Sequence, residues 1–550
     1  MSTTAEGGVS RRVDGQHSGQ HAAPAKAAGD TFDGSLSLAG AHNPWLVALV
    51  VSMATFMEVL DTSIANVSLR YIAGSLAASL DESTWVLTSY LVANAIILPI
   101  SGWLATVIGR KRFYMGCVAL FTGSSVLCGF APSLSWLIVF RVLQGLGGGG
   151  LAPSEQSILA DSFPPEKRGL AFALYGVAVV VAPAVGPTLG GWITDNYSWH
   201  WIFFINLPIG LVSLALTYFV LVEPPAETAH RRKLLARGLN VDYVGFGLVA
   251  IGLGALQIVL DKGERDDWFG SNFIVTLSIL SAICLVALVV WELLRKDPIV
   301  DLPLLGNRGF AASFTLMFAL GFVLFGTTQL LPQMVQDVLG YTATDAGLVI
   351  TPGGFAVMLL MPVVGLALKK VQARNLIAFG LVVEALSLFS MSGLNPHVAY
   401  SDVAWGRVFQ ASGIAFLFVP ISTVAYLNLP PGKNNAASAL VNLARNLGGS
   451  FGISFGQTLL ARRSQFHQAR LVSHLTPYDP AYRQAVERLS HLAPNNLRTG
   501  LAAMYYSIQQ QVLMMAYIDI YYLLAWICLA LVPLVFLLGK TKPGQAPAGH

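Results

Sequence analysis

The sequence predicts an all-α polytopic membrane protein with 14 transmembrane helices, arranged as two six-helix bundles (a parallel repeat) plus two linking helices. Three observations carry this prediction. The 550 residues are 54% apolar and only 11% charged, with a mean hydropathy of +0.62, whereas a soluble globular chain carries roughly 25% charged residues. Apolar stretches of the length needed to cross the hydrocarbon, about 20 residues, recur fourteen times along the chain. The chain also repeats itself at an offset of 266 residues. Such a composition excludes a disordered chain, a nucleic-acid-binding chain and a solvated enzyme. The net charge of +4 and pI of about 8.8 say little about partners, because the basic residues are not pooled in one patch.

Residues 1–42 are rich in Gly, Ala, Ser and His and lack an apolar core segment, so they read as a disordered cytoplasmic tail and not as a secretory signal. The candidate spans follow near 45–66, 84–105, 113–130, 134–158, 169–193, 199–222, 241–261, 271–294, 309–333, 345–368, 375–393, 403–428, 435–460 and 512–538. They group as an N-terminal bundle (43–222), a linker with two extra spans (223–308), a C-terminal bundle (309–539) containing a long external loop (461–511), and a cytoplasmic tail (540–550). Placing the N-tail, the even-numbered loops and the C-tail on one face collects 21 of the 33 Lys and Arg residues. Among them are Arg11, Arg12 and Lys26 of the tail, the Arg110–Arg112 cluster, Lys167, Arg168, Arg231, Arg232, Lys233 and Arg237. The opposite face holds nine, six of them in the long 461–511 segment, where charge bias is a weak guide. Both termini are therefore expected in the cytoplasm. Cys117, Cys128, Cys284 and Cys528 sit inside apolar runs without metal spacing and read as buried small hydrophobes.

The repeat keeps its register through polar and loop residues. Arg141, Val142, Gln144 and Gly147 recur as Arg407, Val408, Gln410 and Gly413. The loop Pro164-Pro165-Glu166-Lys167 recurs as Pro430-Pro431-Gly432-Lys433, and Gly186 and Gly190 as Gly452 and Gly456. The offset carries span 4 onto span 12, an even step, so orientation is kept. Parallel repeats of this kind are a signature of two-bundle secondary transporters.

Embedded polar residues carry the chemistry. In span 1, Glu58 and Asp61 stand three residues apart and share a helix face. Low dielectric penalises their charged forms, so such a group can exchange a proton at working pH and couple transport to a proton gradient. The competing reading is a structural pair with an arginine, or an interfacial Glu58. Arg141 in span 4 is costly at mid-membrane and should face a cavity or a carboxylate. Glu155 is a third embedded acid, suited either to a proton relay or to pairing with Lys167 or Arg168. In span 5, Gly176, Pro183, Gly186, Pro187, Gly190 and Gly191 predict a kinked, closely packed helix, with a seal between the bundles as its sharper reading. Between spans 2 and 3, Gly102, Gly109, Arg110 and Lys111 form a candidate gate, although topology alone explains part of the charge. Asn66, Gln144, Gln329, Gln333, Gln410, Asn442 and Arg445 are candidate substrate contacts, with Phe325, Phe416 and Phe418 as a possible apolar wall. Each aromatic is individually better explained by packing.

Taken together, these residues resemble the major facilitator superfamily, specifically the fourteen-span drug:proton antiporters of the EmrB/QacA type, over about residues 43–540. The most specific pieces are Leu60-Asp61-Thr62-Ser63-Ile64-Ala65-Asn66, Arg141-Val142-Leu143-Gln144-Gly145, the span 5 stretch from Ala182 to Gly191, and the stretch from Trp201 to Gly210. The resemblance implies proton-driven export by alternating access in the inner membrane, with Asp61 and Arg141 in coupling and Gly102, Gly109 and Arg110 in the conformational gate. One departure stands out: Thr106 and Val107 replace the acid and base usual in that gate loop. The long loop, whose residues 480–511 suggest an amphipathic helix through Tyr482, Val486, Leu489 and Leu492, resembles the branch that works with a periplasmic adaptor and an outer-membrane channel.

An acid-bearing, amide- and aromatic-lined cavity suits amphipathic or cationic organic molecules, while Arg445 would also suit an anion. The alternatives are a proton-coupled symporter of an organic solute and a non-transporting receptor or scaffold. The first should lack the span 5 Gly/Pro pattern, and the second should lose the embedded charges. The sequence offers no nucleophile–base constellation, phosphate loop or metal cluster, which makes an enzyme the weakest reading. It implies no bound cofactor, only a proton gradient.

Overall fold

The computed structural model describes residues 43–223, 228, 231–232, 235–236, 241–295, 298–427, 429–430, 432–473, 475–476, 478–492 and 497–538. The expected N-terminal tail, Lys233, Arg237, Lys296 and the C-terminal tail 540–550 lie outside the described residues. Every regular element among the described residues is helical. Fourteen long helices follow one another: α1 (Pro44–Ser75), α2 (Trp85–Ile108), α3 (Arg110–Gly129), α4 (Leu134–Ser162), α5 (Pro165–Asn196), α6 (Trp201–Val220) and α7 (Tyr243–Lys262). They continue as α8 (Asn272–Leu294), α9 (Arg308–Asp337), α10 (Ala343–Ala367), α11 (Ala373–Met391), α12 (Tyr400–Ala425), α13 (Asn434–Val472) and α14 (Leu497–Val535). Twelve of these are long and apolar enough to cross a membrane. The other two are α3, which opens on Arg110-Lys111-Arg112, and α13, whose amides and arginines lower its hydropathy.

Three boundaries differ from expectation. Helix α4 is interrupted at Gly149-Gly150, between Leu134–Gly148 and Leu151–Ser162, as a glycine run with little helix propensity allows. Helix α13 runs on to Val472 and α14 starts at Leu497, so most of the expected 461–511 loop is helix. The extension of α13 is tied to α14 by Arg463 Nε and His467 Nε2, both on Asp519 Oδ2 at 3.5 and 2.9 Å. The amphipathic helix expected over 480–511 covers only Pro480–Leu492. Tyr482 and Val486 lie on the short helix, and the side chains of Leu489 and Leu492 lie outside the described residues.

Helix packing follows the repeat. The pairs α1–α5, α2–α4 and α3–α4 recur as α9–α13, α10–α12 and α11–α12, and α5–α10 has its counterpart in α2–α13. Small residues make these approaches close, which is how helices associate where lipid is as apolar as a side chain. A Cβ added at Gly448 of α13 would lie 2.0 Å from the Phe318 carbonyl oxygen of α9. Gly448→Ala is therefore expected to lower the thermal unfolding temperature of the detergent-purified protein, at a cost of about 1–3 kcal/mol. An unchanged melt would show that α9 and α13 can part at no cost. Helices α7 and α8 pack on each other, and α7 lies against both α2 and α13. There Ser450 Oγ of α13 donates to Gln257 Oε1 of α7 at 2.9 Å. All four cysteines are buried and free.

Candidate functional site

The centre of the N-terminal half is a charge pair made by three helices. Asp61 faces the α4 helix, where Arg141 and Gln144, three residues apart, share one side. Arg141 Nη1 donates to Asp61 Oδ2 at 2.5 Å and to Gln144 Oε1 at 2.8 Å. Gln144 Nε2 donates to Asp61 Oδ1 at 2.9 Å, and Asn206 Nδ2 of α6 reaches the same oxygen at 2.6 Å. Arg141 Nε is satisfied by the Val86 carbonyl at 3.0 Å, and its guanidinium lies 4.4 Å from the Tyr90 ring centroid. Neither Arg141 nor Gln144 has any exposed surface, and Asp61 is 2% exposed. The pair exists because α4 comes so near α2 and α3. A Cβ at Gly145 would lie 2.4 Å from the Tyr90 carbonyl, and one at Gly147 2.7 Å from the Phe121 amide nitrogen. Arg141 Nη2 has no hydrogen-bond partner among the described residues, and removing either member of such a buried pair leaves an uncompensated charge.

Glu58, one helical turn away, belongs to a different set of contacts. Its Oε1 accepts from Asn94 Nδ2 at 3.0 Å and Tyr90 Oη at 3.4 Å. Asn446 Nδ2 of α13 donates to Asn94 Oδ1 at 3.3 Å, and Arg445 is near enough for its charge to act on Glu58. Glu155 is fully buried and accepts from Thr55 Oγ1 and from Tyr114 Oη; among the described residues it has no ion pair with Lys167 or Arg168. Arg445 itself donates to Tyr175 Oη at 3.1 Å.

The candidate substrate contacts do not line one wall. Gln144 is enclosed in the Asp61 cluster. Asn442 is buried against Gln156 Oε1 at 2.9 Å where α13 meets α4. Asn66 Nδ2 donates to Gln329 Oε1 at 3.2 Å and Gln457 Nε2 to Gln333 Oε1 at 2.7 Å, both towards the other end of the molecule. Phe418 is buried against Tyr175 and Gly176, and Phe325 lies against Gly449.

Helix α5 explains its own prolines. Pro187 has no amide to bond the Pro183 carbonyl four residues back, and Ser63 Oγ of α1 donates to that oxygen at 3.4 Å. Gly186 and Gly190 admit Ser63 and Ile64 of α1, Gly176 admits Met361 and Phe418, and Gly191 lies beside Thr344. The span 5 motif thus serves one face on α1 and another on α10 and α12.

At the end carrying the basic loops, the halves are joined tightly. Gly109 adopts φ +99°, a conformation that glycine alone takes readily, and so turns α2 into α3. Arg110 Nη1 then pairs with Asp161 Oδ2 at 2.6 Å, and Asn434 Nδ2 of α13 donates to the same carboxylate's Oδ1. Asp161 so supplies the acid that the gate loop lacks at Thr106, whose hydroxyl instead donates to the Gly102 carbonyl at 2.9 Å. Lys111 Nζ donates to the Tyr218 carbonyl at 2.7 Å, and a Cβ at Gly102 would lie 2.8 Å from the Asn435 carbonyl oxygen. Asp161→Asn should weaken this closure by about 1 kcal/mol, raising thiol labelling of a cysteine placed at Ser157 about five-fold. Equal labelling rates would remove the pair from the gate.

Asn206, Asn94 and Gln156 were not singled out from sequence. Their signal was a neutral amide inside an apolar span, which in isolation reads as packing.

A family model described as Major Facilitator Superfamily matches residues 51–453. The multidrug export protein EmrB of Haemophilus influenzae is 40% identical over 457 residues, 83% of this chain and 88% of that one. The fatty acid resistance protein FarB of Neisseria gonorrhoeae is 40% identical over 514 residues, 93% of this chain and 99% of that one. Among solved structures, the proton:xylose symporter XylE shares the fold with a TM-score of 0.57 at 16% identity, covering 92% of this chain and 97% of that one. The chain belongs to the major facilitator superfamily, among transporters of the EmrB type. It is a multi-pass membrane transporter and not an enzyme.

Proposed function

We propose that this protein is a proton-driven antiporter that exports amphipathic organic compounds across the cytoplasmic (inner) membrane by alternating access, with no bound cofactor. The observation that carries the reading is the Asp61–Arg141 pair, enclosed with Gln144 and Asn206 between α1, α4 and α6. A carboxylate held against a buried arginine can bind a proton only if the pair opens, which ties protonation to a change of conformation. Glu58 and Glu155 extend the coupling set towards Tyr175 and Arg445. The similarity to EmrB, an export protein by name, supports the direction of transport.

The proposal counts α3 and α13 as spans, fourteen in all, with α1–α6 and α9–α14 as two six-helix bundles and α7–α8 as the linking pair. The recurrence of helix pairs at the 266-residue offset supports this layout. The asymmetry of Lys and Arg supports cytoplasmic termini. On that orientation the closed end, with Arg110, Asp161, Asn434 and Asn435, is cytoplasmic, and the proposed path opens outward past Asn66, Gln329 and Gln333. Asn442 and Arg445 meet the substrate once the cytoplasmic end parts, and Gln144 does so through the Asp61 cluster. The helix Pro480–Leu492 at the outer end is the proposed contact for a periplasmic adaptor leading to an outer-membrane channel. The cationic Arg445 in the interface, together with a fatty acid resistance protein among the relatives, favours a second substrate class, amphipathic anions.

The test uses purified protein in liposomes with an internal pH dye and an imposed proton gradient. A panel of amphipathic cations and anions is added in turn. Substrate-triggered proton movement establishes antiport and names the substrate class together; its absence with every compound, while binding assays with the same panel are negative, defeats the reading.

A further inference from the structure

The 266-residue offset places Thr327 where Asp61 stands and Thr328 where Thr62 stands. The C-terminal half keeps the arginine and the glutamine of the pair. Arg407 Nη1 donates to Gln410 Oε1 at 2.6 Å, as Arg141 does to Gln144, and Gln410 Nε2 donates to Thr327 Oγ1 at 2.6 Å, as Gln144 does to Asp61. Arg407 Nη2 donates to Thr328 Oγ1 at 3.0 Å. The half has lost its carboxylate at the repeat position, yet an acid is present. Glu384 of α11, where the first half has Val118, accepts from the same Gln410 Nε2 at 3.1 Å. The acid has changed helices while the arginine–glutamine receiver has stayed.

Glu384 has no exposed surface, and its Oε2 has no hydrogen-bond partner among the described residues; the same holds for Arg407 Nε. A small cavity lies against Glu384, lined also by Leu320, Val323, Leu381, Ile414 and Cys528, with room for about one water molecule. Other titratable groups facing this site are Arg407 from α12 and Tyr521 and Cys528 from α14; α9 contributes only hydroxyls and apolar side chains. An unmet buried acceptor is costly, and more so when it carries a charge.

We propose that Glu384 is a second site of reversible protonation, the C-terminal counterpart of Asp61. In the protonated form its neutral carboxyl accepts from Gln410 and Arg407 rests on Gln410 and Thr328. When the O–H bond breaks, the proton passes to water at the cavity and the carboxylate charge is met by Arg407. The proposal rests on the antiporter reading only for its use in coupling, not for the protonation itself.

The experiment is infrared difference spectroscopy of the purified full-length protein between acid and alkaline pH, for wild type, Glu384→Gln and Glu384→Asp. The carboxylic-acid carbonyl signal of wild type should lose one component in Glu384→Gln and regain it, with a shifted midpoint, in Glu384→Asp. Superimposable wild-type and Glu384→Gln spectra overturn the proposal. In liposomes, with tetraphenylphosphonium as the probe cation, Glu384→Gln should lower the number of protons moved per cation by one. An unchanged ratio removes Glu384 from coupling. Absence of proton movement in wild type would count against antiport of that cation, while the infrared result still decides Glu384.

Discussion

Asp61→Asn is expected to abolish proton-coupled export while the protein still reaches the membrane. The substitution is nearly isosteric, and the amide can still accept a hydrogen bond from Asn206 or Gln144. What it removes is the countercharge of Arg141, which has no exposed surface. Leaving a buried charge unpaired costs about 3–5 kcal/mol, so the variant should relieve that cost by rearranging α1 against α4 and lose the two-state exchange that protonation drives. Uphill export in the pH-dye liposome assay should fall by about 100-fold, the change that roughly 3 kcal/mol produces in a rate. Unchanged export would remove Asp61 from the mechanism.

Gly186→Val should have the next largest effect. A Cβ at Gly186 would lie 2.4 Å from Ser63 Oγ and 2.6 Å from Ser63 Cβ, and valine adds two methyl groups beyond it. The clash falls where Ser63 bonds the Pro183 carbonyl released by Pro187, so α1 is pushed from α5 and that carbonyl loses its donor. Overpacking of this kind costs about 1–3 kcal/mol. Export should drop about tenfold, and proton movement without substrate should appear, because the displaced surface is the one that closes α5 on α1. Normal coupling in this variant would reduce the glycines and prolines of α5 to ordinary packing.

The parts of this structure legible in sequence are those that break the apolar pattern locally. Asp61 and Arg141 are conspicuous because a charge inside a span must be met by another, and they meet. The repeat is legible because Arg407 and Gln410 hold the register through loop residues. Asn94 escaped notice, and Asn206 was read only as part of the Trp201–Gly210 stretch, because a single amide in an apolar run has no required partner that sequence can name. Gln144 is legible as a polar side chain inside a span, but its place in the Asp61–Arg141 cluster depends on how α1 and α4 meet. The end of α13 was hidden for another reason: its polar residues lower hydropathy although the helix continues to Val472, tied to α14 by Arg463 and His467 on Asp519. Glu384 was not singled out from sequence, because nothing in its apolar run names the Arg407–Gln410 receiver it faces.

Helix α7 lies against α2 and α13 together, through Gly254 beside Val92 and Ile96 on one side and Gln257 bonded to Ser450 on the other. Its mirror seam, α5 with α10, carries no such strap among the described residues, and Leu359, Val363 and Leu366 of α10 are exposed. For a greasy molecule dissolved in the bilayer the transporter therefore has two unequal flanks, one shuttered and one bare. A substrate that entered from the lipid phase would meet the α5–α10 side unshielded and the α2–α13 side covered by α7.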